Sequence, residues 1–115
     1  MRRRATAAAI VGLTALYGGV HLLSHSHAEA ATVRTVVLKN VEFNPASVTI
    51  RRGGSVRWVW RDGSSSHDVT SRGTRRFKSS TTQRSGTHTV RFRRAGTYRY
   101  VCTIHPNMRG RVVVR

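Results

Sequence analysis

The chain has 115 residues and one cysteine, which leaves room for a single small domain and excludes an internal disulfide framework. Its 21 Lys and Arg stand against 4 acids, a formal charge of +17. A surface of that sign attracts polyanions and acidic proteins, with effects that fall steeply as salt is added.

The amino terminus has the layout of an export signal. Met1-Arg2-Arg3-Arg4 is a charged start, Ala5 to Leu23 is mostly apolar and small, and Ala28-Glu29-Ala30 fits the small-x-small rule for cleavage. Residues 1–30 are therefore expected to be a signal peptide, and residues 31–115 a domain exported to the periplasm or the cell exterior. An uncleaved anchor is the other reading, since a spanning helix needs about 20 apolar residues. Gly12, Gly18, Gly19 and His21 make this stretch a poor span. His21, His25 and His27 are set aside as metal ligands because a segment beside a cleavage site gives no fixed geometry.

From Ala31 onward 18 Lys and Arg face only Glu42, Asp62 and Asp68, a formal charge of +15. Nucleic acid is the obvious partner on charge alone. The export signal argues against it, as does the scatter of arginines over alternate strand positions, where they read as solvated outer faces of a sheet.

Past Val33 the pattern is short strands of period two, separated by turn residues every eight to twelve positions. Val33 to Lys39 is the first, with Val33, Thr35 and Val37 on one side. Pro45 breaks the run after Phe43-Asn44 because it cannot donate to a ladder. Ser47 to Arg51 follows with Val48 and Ile50 inward, and Gly53-Gly54 turns the chain. Ser55 to Arg61 places Val56, Trp58 and Trp60 on one face, a core element, and the loop Asp62 to Ser66 delivers His67. Ser71 to Gly86, rich in Ser, Thr, Gly and Arg, is poorly legible, and Phe77 is its only strong anchor. Thr87 to Arg93 resumes alternation with His88, Val90 and Phe92. Thr97 to Cys102 puts Tyr98, Tyr100 and Cys102 on one face, and Arg111 to Arg115 closes with Val112 and Val114 inward. No helical pattern competes after the signal, so the expected class is an all-β, antiparallel β-sandwich.

The chemistry concentrates in Cys102-Thr103-Ile104-His105-Pro106-Asn107-Met108, which spaces a thiol, an imidazole and a thioether three residues apart. Soft and borderline donors of this kind suit copper better than calcium, magnesium or a structural zinc site. In a continuing strand Cys102 and His105 would point to opposite faces, yet ligands to one metal must lie within about 4 Å of each other. The chain must curl after Cys102, which Thr103, Pro106, Asn107 and Gly110 permit. A fourth ligand has to come from a distant part of the chain. His67, in a loop at the end of the Trp-bearing strand, is the expected one; His88, mid-strand and in phase with Val90 and Phe92, is the other candidate and reads better as a structural histidine.

The segments Phe43-Asn44-Pro45, Gly53-Gly54-Ser55-Val56-Arg57-Trp58, Ser66-His67-Asp68-Val69 and Gly96 to Cys102 running into His105 and Met108 together resemble the cupredoxin family, the small blue copper proteins, and most closely its plastocyanin and amicyanin branch. The compact Cys-x-x-His-x-x-Met loop is similar to that of amicyanins. The resemblance implies a Greek-key sandwich that binds one type 1 copper ion through His67, Cys102, His105 and Met108 and shuttles single electrons, not an enzyme. It also implies a second shell in which Asp68, where the family commonly has Asn, points its backbone N–H at the thiolate and ties its side chain to Thr103. The expected partner is a transient acidic redox protein, a cytochrome or dehydrogenase, meeting a monomer at the exposed edge of His105. Pro45, Pro106 and Ile104 are candidates for the apolar rim there, ringed by Arg109. A copper storage or delivery protein is the alternative.

Overall fold

The computed structural model describes residues 31–115. The expected signal segment, residues 1–30, lies outside the described residues. Eight strands follow in order: β1 (Val33–Lys39), β2 (Glu42–Asn44), β3 (Ser47–Ile50), β4 (Ser55–Trp60), β5 (Thr70–Arg72), β6 (Thr87–Arg91), β7 (Gly96–Val101) and β8 (Arg109–Val114). They form two four-stranded sheets, ordered β2-β1-β4-β6 and β3-β8-β7-β5, that enclose one core as a sandwich.

The all-β sandwich is as expected, but its sheets are mixed. β1 pairs with β4 in parallel, and so does β3 with β8. Period-two alternation tells which face of a strand is buried and is silent about the direction of its neighbour. A parallel pair needs a long crossover. Here the excursion from β1 to β4 passes through β2 in one sheet and β3 in the other.

The inward faces match the alternation in most strands: Val48 and Ile50, Val56, Trp58 and Trp60, Tyr98 and Tyr100, Val112 and Val114 are all buried. β1 is the exception. The sequence singles out Val33, Thr35 and Val37, whereas the core takes the opposite set, Val36 and Leu38, and leaves Val33 55% exposed. With Val36, Val37 and Leu38 all apolar, the local pattern does not choose a parity; pairing with β2 on one side and β4 on the other does.

Aromatic packing centres on Trp58. Its ring stacks on Phe77 at 5.5 Å and 2° and meets Tyr100 edge-on at 5.3 Å. Phe77 thus anchors the poorly legible segment, as its composition foretold. That segment carries little regular ladder because serine side chains stand in for ladder partners. Ser79 and Ser80 Oγ accept from the N–H groups of Ser71 and Val69 at 2.9 and 2.8 Å, and Ser71 Oγ accepts from Phe77 N at 3.2 Å.

Opposite Tyr100 in the β7–β8 ladder stands Gly110, over which the phenol ring lies. Neither the Tyr100 hydroxyl nor Trp58 Nε1 reaches a hydrogen-bond partner. Burial pushes the phenol from 10.0 up to about 12. A folded-state pKa raised above the unfolded value contributes stability that is full below pH 10 and lost as pH climbs towards 12. In alkaline titrations followed by circular dichroism, Tyr100→Phe should therefore flatten the decline in stability across that window, removing about 2–3 kcal/mol of pH dependence. A wild-type curve that the substitution leaves unchanged would contradict this.

Candidate metal centre

Three donors meet at one end of the sandwich. His67 Nδ1, His105 Nδ1 and Cys102 Sγ all lie within 4.8 Å of one another, the one group of three such donors found among the described residues. The two nitrogens are 3.2 Å apart, and Sγ is 4.0 Å from His67 Nδ1 and 3.7 Å from His105 Nδ1. His67 and Cys102 are fully buried, and His105 is half-buried.

Each donor is delivered by a different local device. β7 runs Tyr98, Tyr100 and Cys102 inward, so the alternation that builds the core also aims the thiol. The chain then curls as its spacing requires: Met108 N donates to His105 O at 2.8 Å and Cys102 N to Met108 O at 3.0 Å. These two bonds close the loop on itself and bring Met108, 1% exposed, back beside Cys102. His67 comes from the distant loop after β4 and is pinned to Gln83 by a two-way backbone bridge at 3.0 Å each way. The indole N–H of Trp60 donates to His67 O at 2.9 Å.

The structure adds a residue that the sequence reading left unassigned. Asp62 Oδ2 lies 2.7 Å from His67 Nε2. A carboxylate acceptor there holds the proton on Nε2 and leaves the Nδ1 lone pair facing the other donors. Asp62 also takes the N–H groups of Asn40 and Val41, at 2.9 Å each. Those residues form the two-residue turn between β1 and β2, both at φ 56°. Positive φ is strained for a β-branched residue such as Val41, and two bonds to one carboxylate offset that strain. The Val41 N–H foremost, with His67 and the Asn40 N–H, holds the Asp62 carboxyl below its ordinary range against a smaller push from burial. Asp62 stands in the very loop that delivers His67, but its reach depends on how the loop curls, with Ser65 N donating to Asp62 O at 3.0 Å.

Asp68 follows His67 directly and reaches the Cys102 loop. Its backbone N–H points at Cys102 Sγ from 3.5 Å. Its side chain accepts from Thr103 N at 3.0 Å and Thr103 Oγ1 at 2.5 Å, and also from Thr70 Oγ1 at 2.6 Å. Burial pushes this carboxyl up, but the bonds from Thr103 and Thr70, with Arg72 nearby, outweigh it and hold it below the ordinary value. It is therefore a negative charge at neutral pH, tying the His67 loop to the Cys102 loop.

His88 lies elsewhere, on β6, with Nε2 2.8 Å from Lys78 O and its ring 5.9 Å from Trp58. It is structural, as its phase with Val90 and Phe92 indicated. His21, His25 and His27 lie outside the described residues. Of the proposed rim, Ile104 is 46% exposed and Pro45 and Pro106 are exposed; Val41, 43% exposed, is a further apolar residue at the turn that Asp62 holds.

Two imidazole nitrogens and a sulfur converging at this range are held together by a shared proton or by a cation that takes the donors' lone pairs. A trigonal ion with bonds of about 2.0 Å to nitrogen and 2.3 Å to sulfur would space the nitrogens ~3.5 Å apart and each from sulfur by ~3.7 Å. The observed 3.2, 3.7 and 4.0 Å bracket those values. Two imidazoles and one thiolate with a methionine nearby is the donor set of a type 1 copper site, and the residues fit it.

Comparison with known proteins agrees with this geometry. A family model described as a cupredoxin-like domain matches residues 12–114. Amicyanin-alpha of Methylorubrum extorquens is 31% identical over 121 residues, covering 99% of each chain. Among solved structures, an amicyanin mutant in its reduced state superposes with a TM-score of 0.63 at 28% identity, over 78% of this chain and 87% of its own. A purple cupredoxin from Nitrosopumilus maritimus shares the fold, with a TM-score of 0.65 at 22% identity over 71% of this chain and 99% of its own. With the donors, the sandwich and the matched length in agreement, the chain belongs to the cupredoxin-like family.

Proposed function

We propose that this chain is a small exported electron carrier that would hold one type 1 copper ion through His67, Cys102 and His105, with Met108 as a fourth, weaker donor. The observation that carries the reading is the convergence of two imidazole nitrogens and one thiol on a buried point, with methionine brought to the same loop by backbone bonds. Copper, when bound, supplies a one-electron couple. The protein's part is to hold a single donor geometry acceptable to both oxidation states. Asp62 fixes the His67 ring, the Asp68 N–H steadies the sulfur, and the closed Cys102–Met108 loop sets His105 and Met108 relative to each other. Three strong donors and a thioether would leave no position reserved for a substrate, which favours transfer over catalysis.

Electrons enter or leave at the half-buried edge of His105. Ile104 and Pro106, its neighbours in the chain, offer small apolar surface there for a brief encounter, and Arg109 and its neighbours steer an acidic redox protein, such as a cytochrome or dehydrogenase, to a monomeric carrier. Storage or delivery of copper would call for easy exchange, which full burial of His67, Cys102 and Met108 opposes. The test is the visible and EPR spectrum of the chain loaded with Cu(II). An intense thiolate-to-copper band towards the red supports the proposal, and a colourless or weakly blue protein overturns it.

Asp68 gives a further check. Its ionised side chain favours Cu(II), so Asp68→Asn, which keeps an acceptor for Thr103 N, should raise the reduction potential measured by voltammetry. An unchanged or lower potential would show that this charge is screened from the centre.

A further inference from the structure

The outer face of the β3-β8-β7-β5 sheet carries an arrangement that a merely solvated face does not need. The ladder registers place Arg72 of β5 directly opposite Arg99 of β7, and Arg99 directly opposite Arg111 of β8. Three like charges thus stand abreast on strands about 4.8 Å apart, an arrangement that destabilises a sheet. On the other sheet, Arg57 has the threonines Thr35 and Thr89 as its cross-strand neighbours. No carboxylate forms an ion pair with the row: the only ion pair among the described residues joins His67 to Asp62, and Asp68, which attracts Arg72 weakly, is buried and bonded to Thr103 and Thr70.

Arg72 and Arg99 also line a groove of about 460 Å³, completed by Val101, Thr103, Pro106 and Arg109. Arg109 is held at its rim by a bond from Nε to Pro106 O at 3.3 Å, and Arg111 is held at the row's end by Ser47 Oγ at 3.1 Å. The two guanidiniums on β8 are therefore anchored, while Arg72 and Arg99 donate to no other described residue. The floor of the groove includes Cys102, whose side chain points away into the metal centre.

We propose that this row and groove form a docking surface on the sheet face, adjoining the His105 rim at Pro106 and Arg109 and running away from it along Arg99, Arg72 and Arg111, that takes a carboxylate-bearing segment of an acidic protein partner. Guanidinium forks match carboxylates in a bidentate manner, and a partner seated here neutralises a row that repels itself when bare. It also lies along β7, the strand that runs into Cys102, so a partner held on this face stays close to the metal centre. The use of that closeness rests on the electron-carrier reading; the binding itself does not.

The test is a titration of the isotope-labelled full chain in its Cu(I) state with a deca-glutamate peptide at low ionic strength, followed by NMR. The visible spectrum of the same sample after oxidation separately reports whether the copper reading holds. The largest shifts are expected at Arg72, Arg99, Val101, Thr103 and Arg109. Arg72→Thr/Arg99→Thr should weaken binding by about tenfold, whereas Arg57→Thr/Arg93→Thr, with the same change in net charge, should weaken it by less than about threefold. The first pair should also raise the low-salt melting temperature, since it removes a repulsive contact. Equal losses from both pairs, or shifts spread over all the arginines, overturn the proposal in favour of general charge attraction. A short polyphosphate that takes the same footprint while the peptide does not bind would overturn the choice of an acidic protein.

Discussion

A Cys102→Ser variant loaded with Cu(II) is expected to lose the intense red absorption entirely while still binding metal. The band arises from charge transfer out of a thiolate, and a serine hydroxyl, which remains protonated at neutral pH, has no comparable donor orbital. The imidazole pair survives the change, because His67 is held by Asp62, Gln83 and Trp60 and not by the sulfur. His105 keeps its bond from Met108 N. Copper should therefore remain on two nitrogens, more weakly bound and with an ordinary EPR spectrum. Persistence of the band in the variant would remove Cys102 from the centre and with it the present account of function. Loss of all copper binding would show instead that the two histidines do not hold a site without the thiolate.

Gly110→Ala should be among the most destabilising single substitutions outside the centre. A Cβ at this position would lie 2.4 Å from both Cζ and Oη of Tyr100, and 2.7 Å from Cε2. The ring cannot retreat, since Phe43 meets it edge-on at 4.8 Å and Trp58 at 5.3 Å. Overpacking of this kind typically costs about 1–3 kcal/mol, and the rigidity of these neighbours points to the upper end. For a domain of this size that is a fall in melting temperature of roughly 10–20 °C. The check is a melt of Gly110→Ala against Gly110→Ala/Tyr100→Leu. The second change removes the clashing ring edge, so the pair should lose less than the sum of its parts. Strict additivity would mean that the clash is relieved by backbone movement and not felt by the ring.

How much of this could be seen in the sequence follows from which interactions are local. The curl of Cys102 to Met108 was legible because ligand distance and strand geometry conflict unless the chain turns. The inward aim of Trp58, Tyr100 and Cys102 was legible from alternation alone. Asp68 was placed by family resemblance, and its bonds to Thr103 follow that pattern. What stayed hidden depends on long-range placement. The parallel pairing of β1 with β4 leaves no mark on either strand, and the parity of Val36-Val37-Leu38 is settled only by that pairing. Asp62 escaped notice because a carboxylate followed by Gly63 and three serines reads as a solvated loop. Only the folded chain gives it partners, in the Asn40–Val41 turn and in the His67 ring.

That turn has a consequence for transplanting the centre. The Cys102–Met108 loop carries its own closure, so it can be exchanged between related sandwiches as a cassette. His67 cannot. Its ring orientation is written jointly by Asp62 in its own loop and by a strained two-residue turn more than twenty positions earlier. A donor scaffold given this histidine without the Asn40–Val41 hairpin would receive the ligand but not its aim, and an engineer would have to move the hairpin and the loop together as one inherited unit.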